Sequence, residues 1–77
     1  MIHRTAERAG LVQLIVNGEP RHVAEGITLA RLLEELQLAG KHVAVEVNLE
    51  LVPRQHHGRH VLADGDRLEI VTLVGGG

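Results

Sequence analysis

The 77-residue sequence contains no cysteine and no phenylalanine, tyrosine or tryptophan. The absence of cysteine excludes disulfide bonds, thiolate metal sites and cysteine nucleophiles. Without aromatic rings the core must be aliphatic, because leucine, valine, isoleucine and alanine supply almost all of the 44% hydrophobic residues. A chain of this length predicts one small domain, without the cleft that a two-domain enzyme places between its domains.

Neither sign of charge dominates, since 8 basic and 10 acidic residues give a net charge of −2. Without a basic surface or aromatic rings on which bases could stack, nucleic acid is not an expected partner. No apolar run approaches the roughly 20 residues that cross a bilayer. Met1–Gly10 is too polar for a secretory signal and is interpreted as a flexible leader. These features predict a cytoplasmic protein that does not bind a membrane.

Hydrophobic periodicity in the first half predicts a hairpin followed by a helix. Leu11–Val16 alternates as a strand does, Asn17-Gly18 is a strong hairpin-turn signal, and Arg21–Ala24 is expected to return as a second strand. Thr28 is placed to cap the helix, and Gly40 suits a left-handed position after it. One helical face is formed by Leu29, Leu32, Leu33 and Leu36.

The second half predicts two strands separated by an irregular segment. Val43–Val47 alternates, and Leu51–Arg54 either extends that strand or turns out of it at a proline. Gln55–Val61 is polar and is expected to be a loop, and Arg67–Val74 is the last strand. The predicted class is α+β, with one main helix on a mixed sheet. By analogy with ubiquitin-like folds, the first and last strands would lie parallel at the sheet centre.

The polar residues offer little to catalysis. The hydroxyl side chains are Thr5, Thr28 and Thr72, which fall in the leader, at the helix cap and in a strand. A chain this short, with its apolar residues committed to one core, seldom forms the concave pocket that an active site requires. No enzymatic activity is therefore expected of the chain itself.

Histidines and aspartates form two further groups. His56, His57 and His60 could bind zinc or nickel, but no neighbouring cysteine or carboxylate completes a tetrahedral site, so a solvated loop is favoured. Asp64 and Asp66 flank a glycine, which is typical of a turn.

The three consecutive glycines Gly75, Gly76 and Gly77 are the unusual feature. They form either a frayed terminus or an extended probe that enters a tunnel too narrow for other residues. Val74–Gly77 would reach about 13 Å if fully extended, far enough to carry a carboxylate into the active site of another protein. Composition alone leaves both interpretations open.

Several short segments stand in this order along the chain: Val16-Asn17-Gly18-Glu19, Thr28-Leu29-x-x-Leu32-Leu33, Val43-Ala44-Val45, Asn48, Val52-Pro53-Arg54, Gly65-Asp66-x-Leu68-Glu69-Ile70-Val71 and Val74-Gly75-Gly76-Gly77. Together they resemble the thiamine-biosynthesis sulfur carrier family (ThiS), which is ubiquitin-like, over about residues 11–77. Gln55 departs from the serine that often follows Val-Pro-Arg in the family, whereas His57 stands where an aromatic residue or histidine is frequent.

The resemblance implies a β-grasp domain over residues 11–74 and a flexible carrier tail over residues 75–77. It implies that an E1-like adenylyltransferase uses MgATP to adenylate the Gly77 carboxylate. Sulfur from a donor such as a cysteine desulfurase then replaces AMP, and thiazole synthase consumes the resulting thiocarboxylate. Gly75 and Gly76 would form the extended segment that passes through the narrow tunnel of the partner enzyme. MgATP would belong to the partner, and the chain would bind no cofactor or metal.

The last strand suggests where partners dock. If Leu68 and Ile70 face the helix, Val71 and Leu73 point to the opposite side, although both are apolar. Together with Val74, they are expected to form a docking patch. The alternative is that the segment from Leu51 to Leu62 covers this side of the sheet.

Other functions share the same tail. A carrier for molybdopterin or another sulfur-containing product would carry the same glycines, and so would a protein modifier that forms isopeptide bonds. A further possibility is an interaction module with an inert tail. These alternatives differ in the partner enzyme and in the product attached to the terminal carboxylate.

Overall fold

A computed structural model describes residues 10–73. The elements are β1 Leu11–Val16, β2 Glu19–Ala24, α1 Leu29–Glu35, β3 Val43–Val47, β4 Glu50–Leu51, a 3₁₀ helix Arg54–His56 and β5 Arg67–Thr72. Five strands form one mixed sheet in the order β2-β1-β5-β3-β4, and α1 is the single α-helix in the described part of the chain. None of the helices in this part is long and apolar enough to cross a membrane.

The first hairpin is confirmed. β1 and β2 pair antiparallel from Leu11–Ala24 to Val16–Glu19, so β2 begins two residues earlier than the pattern predicted. Leu14 is fully buried, and its face also carries the partly buried Val12 and Val16, as the alternation indicated. The two turn residues between the strands have positive φ, as type I′ turns require.

The beginning of α1 is also confirmed. The Thr28 hydroxyl accepts a hydrogen bond from the Arg31 amide at 3.2 Å, which satisfies one unpaired N–H group of the first turn. Leu29, Leu32 and Leu33 are buried, and each fully buried leucine stabilises the fold by about 1.5–3 kcal/mol relative to exposure. The helix therefore holds its place through one capping bond and one apolar face.

The end of α1 differs from the prediction. Gly40 does have a positive φ of 84°, but the left-handed residue that ends the helix is Gln37, with a φ of 63°. The Gln37 amide donates to Glu34 O and the Leu38 amide donates to Leu33 O, which is the bond pattern of a Schellman motif. Leu38 packs with the core below the helix, and this contact holds the motif with glutamine where glycine is usual.

The chain after β3 turns back and forms a separate strand. β4 pairs antiparallel with β3 through Val47–Glu50 and Glu46–Leu51, joined by a turn at Asn48 and Leu49. The sequence predicted that residues 51–54 either extend β3 or turn out of it at the proline, and it missed the separate strand β4.

The segment from residue 54 to residue 60 packs against the start of α1. The His60 carbonyl accepts from the Leu29 amide and the His57 carbonyl accepts from the Ala30 amide, both at 2.9 Å. These bonds satisfy two more N–H groups at the helix N-terminus, so the segment is ordered by the helix that it caps.

β5 occupies the middle of the sheet. It runs parallel to β1, through Ile15–Arg67 and Val16–Leu68, and antiparallel to β3 from Val43–Thr72 to Val47–Leu68. The predicted parallel pairing of the first and last strands is thus confirmed. One aliphatic core lies between the sheet and α1, formed by Leu14, Val23, Ile27, Leu29, Leu32, Leu33, Val45, Val47, Val52, Leu62, Leu68 and Ile70.

Candidate functional site

β5 is the element that leads to the glycine tail, and its backbone groups alternate between its two neighbours. The Asn48 amide donates to Arg67 O and the Leu73 amide donates to His42 O, both at 2.8 Å, so odd-numbered residues of β5 face β3. The Asn17 amide donates to Leu68 O at 2.8 Å, so even-numbered residues face β1. Both ladders fix β5 at its start, but only the ladder with β3 continues to Leu73.

A side chain extends the β1 ladder by one further step. The Asn17 amide oxygen accepts from the Ile70 N–H at 2.8 Å, and its amide nitrogen donates to the Ile70 carbonyl at 3.2 Å. The asparagine thus imitates the backbone of a strand partner. Asn17 was identified from the sequence only as a turn residue, because nothing in a single sequence indicates where its amide group is directed.

A second asparagine acts at the other end of β5. The Asn48 oxygen accepts from the Arg67 amide at 3.0 Å, and its nitrogen donates to Asp66 Oδ1 at 2.9 Å. This contact was also missed in the sequence. It fixes the beginning of β5, six residues before Leu73.

The outer face of the sheet, opposite α1, presents the predicted docking residues. Val71 is 55% exposed and Leu73 is 54% exposed, whereas Leu68 and Ile70 are buried on the other side. The alternative, in which residues 51–62 cover this face, is wrong, because Val52 and Leu62 lie in the core beside α1. Docking through Val71 and Leu73 stays a prediction.

The predicted carrier residues lie outside the described part of the chain. These are Gly75, Gly76 and Gly77, together with the predicted docking residue Val74; residues 1–9 of the predicted leader are also outside it. What the structure supplies is the strand from which the tail continues.

The Asp64-Gly65-Asp66 segment is a turn, as predicted. Asp66 Oδ2 accepts from the Ala63 amide at 2.8 Å, and Asp64 Oδ1 accepts from the Gln13 amide at 2.7 Å. Gly65 has a φ of 88°, which favours glycine. Both carboxylates therefore hold backbone groups next to the start of β5.

The histidine-rich segment is largely exposed, as predicted, but His57 is an exception. His57 is only 6% exposed, and its Nε2 lies 3.0 Å from the Val52 carbonyl. A carbonyl only accepts, so Nε2 carries the proton and donates it. His56 is exposed, in contrast. Within residues 10–73, no group of three or more histidine and acidic side chains is arranged to hold a metal ion.

The chain is similar in sequence and in fold to known proteins. The ThiS family pattern matches residues 14–77. The sulfur carrier protein ThiS of Escherichia coli K12 is 30% identical over 66 residues, covering 86% of this chain and 100% of that protein. The crystal structure of the thiamine biosynthesis protein (ThiS) from Geobacter metallireducens superposes with a TM-score of 0.74 at 36% identity, covering 86% of this chain and 100% of that one.

A longer protein also matches. A thiazole synthase of Paramagnetospirillum magneticum is 44% identical over 66 residues, covering 86% of this chain but only 20% of that protein. This chain thus spans about a fifth of the synthase's length. The fold likeness confirms the ubiquitin-like β-grasp architecture. Because the family pattern covers most of the sequence, the chain belongs to the ThiS family.

Proposed function

We propose that this chain is the sulfur carrier protein of thiamine biosynthesis, supplying the sulfur of the thiazole ring. The observation that carries the proposal is the family match, which continues through the three glycines to residue 77. The Escherichia coli relative, which aligns over its full length, is named a sulfur carrier protein. A thiazole synthase contains a segment similar to this chain, which supports that enzyme as the acceptor of the sulfur.

The chemistry takes place at the main-chain carboxylate of Gly77. A carboxylate is a poor electrophile, so it is first adenylated by an E1-like adenylyltransferase, which uses MgATP and releases pyrophosphate. Sulfur from a donor such as a cysteine desulfurase then displaces AMP and leaves a thiocarboxylate on Gly77. The chain is a co-substrate of its partner enzymes in this scheme, and the nucleotide binds to the partner.

The position of β5 supports this role. Gly75 and Gly76 follow the central strand after only Leu73 and Val74. An extended Val74–Gly77 segment spans about 13 Å, so an enzyme that acts on Gly77 must approach the end of β5 closely. Val71, Leu73 and Val74 are then the nearest apolar side chains for it to contact, and we place the docking surface there. Because the reaction consumes MgATP, we place the carrier in the cytoplasm.

Intact-mass measurement tests the proposal. The purified chain is incubated with its E1-like enzyme, MgATP and a sulfide source. We expect a gain equal to the mass difference between one sulfur and one oxygen atom. The matched control lacks both Gly76 and Gly77, and should gain nothing. Addition of thiazole synthase and its other substrates should then produce the thiazole and return the carrier to its original mass.

Three results would contradict the proposal. An unchanged mass, with the enzyme shown to be active on another carrier, would remove the carrier role. Thiocarboxylate formation without transfer to thiazole synthase would leave a carrier of another pathway, such as molybdopterin synthesis. Recovery of the chain attached to lysine side chains of other proteins would instead identify a protein modifier.

A further inference from the structure

The last strand loses its support on one side shortly before the tail begins. The backbone pairing of β1 with β5 ends at Val16–Leu68, whereas β3 continues to Thr72. Beyond Leu68, the contact on the β1 side is the pair of part-buried hydrogen bonds between the Asn17 side chain and Ile70.

An open groove lies beyond this contact. It has a volume of about 410 Å³, and its lining includes Asn17, Ile70 and Thr72. Because even-numbered residues of β5 direct their backbone groups towards β1, the Thr72 backbone faces this groove and not another strand. Within residues 10–73, Ile70 is therefore the last residue of β5 with a hydrogen-bond partner on the β1 side.

We propose that Asn17 is a positioning residue for the carrier tail: its side-chain amide holds Ile70 and thereby fixes the direction in which β5 delivers the residues that follow. This inference rests on the proposed function, because a defined direction matters when an enzyme must capture Gly77. Without the two bonds, β5 would be supported by β3 alone from Glu69 onward. More of the chain before the tail would then have to become ordered on binding.

The chemistry of the contact requires an amide. Ile70 presents one donor and one acceptor, and asparagine offers one acceptor and two donors. Aspartate could accept from the Ile70 N–H but could not donate to its carbonyl. Glycine would tolerate the φ of 51° at this position and would form neither bond. Asn17→Gly therefore removes the contact while leaving the turn conformation accessible.

Asn48 provides a matched control. It also lies in a two-residue turn with a positive φ, of 53°, and also accepts from a β5 amide. Its contact is with Arg67, at the end of the strand away from the tail. Asn48→Gly therefore makes the same chemical change without altering the support at Ile70.

The first measurement is the steady-state rate of adenylation by the E1-like enzyme, with the carrier as the varied substrate. For Asn17→Gly, we expect the KM for the carrier to rise about five- to tenfold with kcat nearly unchanged. The reason is that the end of β5 would have to become ordered when the enzyme binds it, which costs binding free energy. Asn17→Asp should also raise the KM, because a carboxylate oxygen would then face the Ile70 carbonyl oxygen where the amide donates. Asn48→Gly should leave both constants at their original values.

The second measurement needs no enzyme. Amide hydrogen exchange should accelerate at Ile70 in Asn17→Gly and at Arg67 in Asn48→Gly. Exchange at Arg67 should be unchanged in the first variant, and exchange at Ile70 should be unchanged in the second. Faster exchange at Ile70 without a change in KM would overturn the inference, and so would equal KM increases in the two variants. If the unsubstituted chain is not modified at all, the proposed function fails, and with it the role of Asn17 in tail capture.

Discussion

The two hairpin turns of this domain have the same backbone form but differ in sequence and in what they support. Asn17-Gly18 joins β1 to β2, and Asn48-Leu49 joins β3 to β4. All four residues have positive φ, from 51° to 85°. Glycine adopts such angles without strain, whereas leucine does so at a cost of about 1–2 kcal/mol.

The common element is the asparagine side chain, which in both turns reaches β5. Asn17 uses both polar atoms on the backbone of Ile70, close to the tail, in bonds that are part-buried. Asn48 divides its bonds between Arg67 and Asp66 at an exposed position. The comparison indicates that side-chain anchoring can hold a turn in which leucine takes the place of the preferred glycine, and we expect the part-buried anchor to stabilise more than the exposed one.

The largest effect is expected for Asn17→Ala. The substitution removes two hydrogen bonds, leaves the Ile70 backbone unsatisfied and places alanine at positive φ, so we expect a loss of about 3 kcal/mol in the free energy of unfolding. Urea denaturation followed by circular dichroism measures it. A loss no greater than that of Asn48→Ala would remove the distinction between a part-buried and an exposed anchor.

Asn48→Ala should have a smaller effect. Its bonds are exposed, and water can replace them, so the expected loss is about 1.5 kcal/mol, much of it from the left-handed backbone. The same denaturation series measures it. The companion variant Asp66→Ala separates the bond to the carboxylate from the bond to the Arg67 amide.

Gly18→Ala tests the cost of a positive φ alone, without the loss of a side-chain hydrogen bond. No atom lies within 4 Å of the place where a Cβ would stand, so crowding contributes nothing. Positive φ should nevertheless destabilise the protein by about 1 kcal/mol. Gly58→Ala, which also meets open space but lacks a positive φ, is the control and should change stability much less. Equal losses would contradict the assignment to backbone conformation.

Leu49→Gly should have the smallest effect, and of opposite sign. Leu49 is 89% exposed, so its removal loses almost no burial. Glycine removes the strain that leucine has at positive φ, but it also adds conformational entropy to the unfolded chain. The first effect is larger by about 0.5 kcal/mol, so the free energy of unfolding should rise by that amount. Thermal unfolding compared with that of the unsubstituted chain measures the change. A decrease would mean that Leu49 makes a stabilising contact in solution.

The sequence was sufficient for elements whose signals are local. The Asn17-Gly18 turn, the Thr28 cap and the leucine face of α1 depend on neighbouring residues, and each was predicted correctly. The turn at Asn48-Leu49 was missed because leucine carries no turn signal, and β4 was missed with it. The anchor from Asn17 to Ile70 joins residues 53 positions apart, a separation beyond the reach of local pattern analysis.

The remaining errors arose where tertiary contacts overrode local preference. Gly40 was favoured as the helix-ending residue because glycine tolerates positive φ, but core packing of Leu38 lets Gln37 take that position. His57 was expected in a solvated loop from its polar neighbours. It is buried because its carbonyl caps α1 and its ring bonds Val52. The family resemblance, in contrast, was correct from motifs spread along the sequence.

The central position of β5 also constrains how the protein is made. Residues 67–72 are synthesised after every other described strand, yet they join the two halves of the sheet. Until they leave the ribosome, β1 and β3 have no common neighbour, so cooperative folding must wait for this segment. A chain that broke off earlier would lack Leu68 and Ile70, leave part of the core exposed and become a target for proteolysis. Only chains translated at least as far as β5 can complete the sheet. Folded molecules that escape proteolysis therefore contain the strand that leads to the tail.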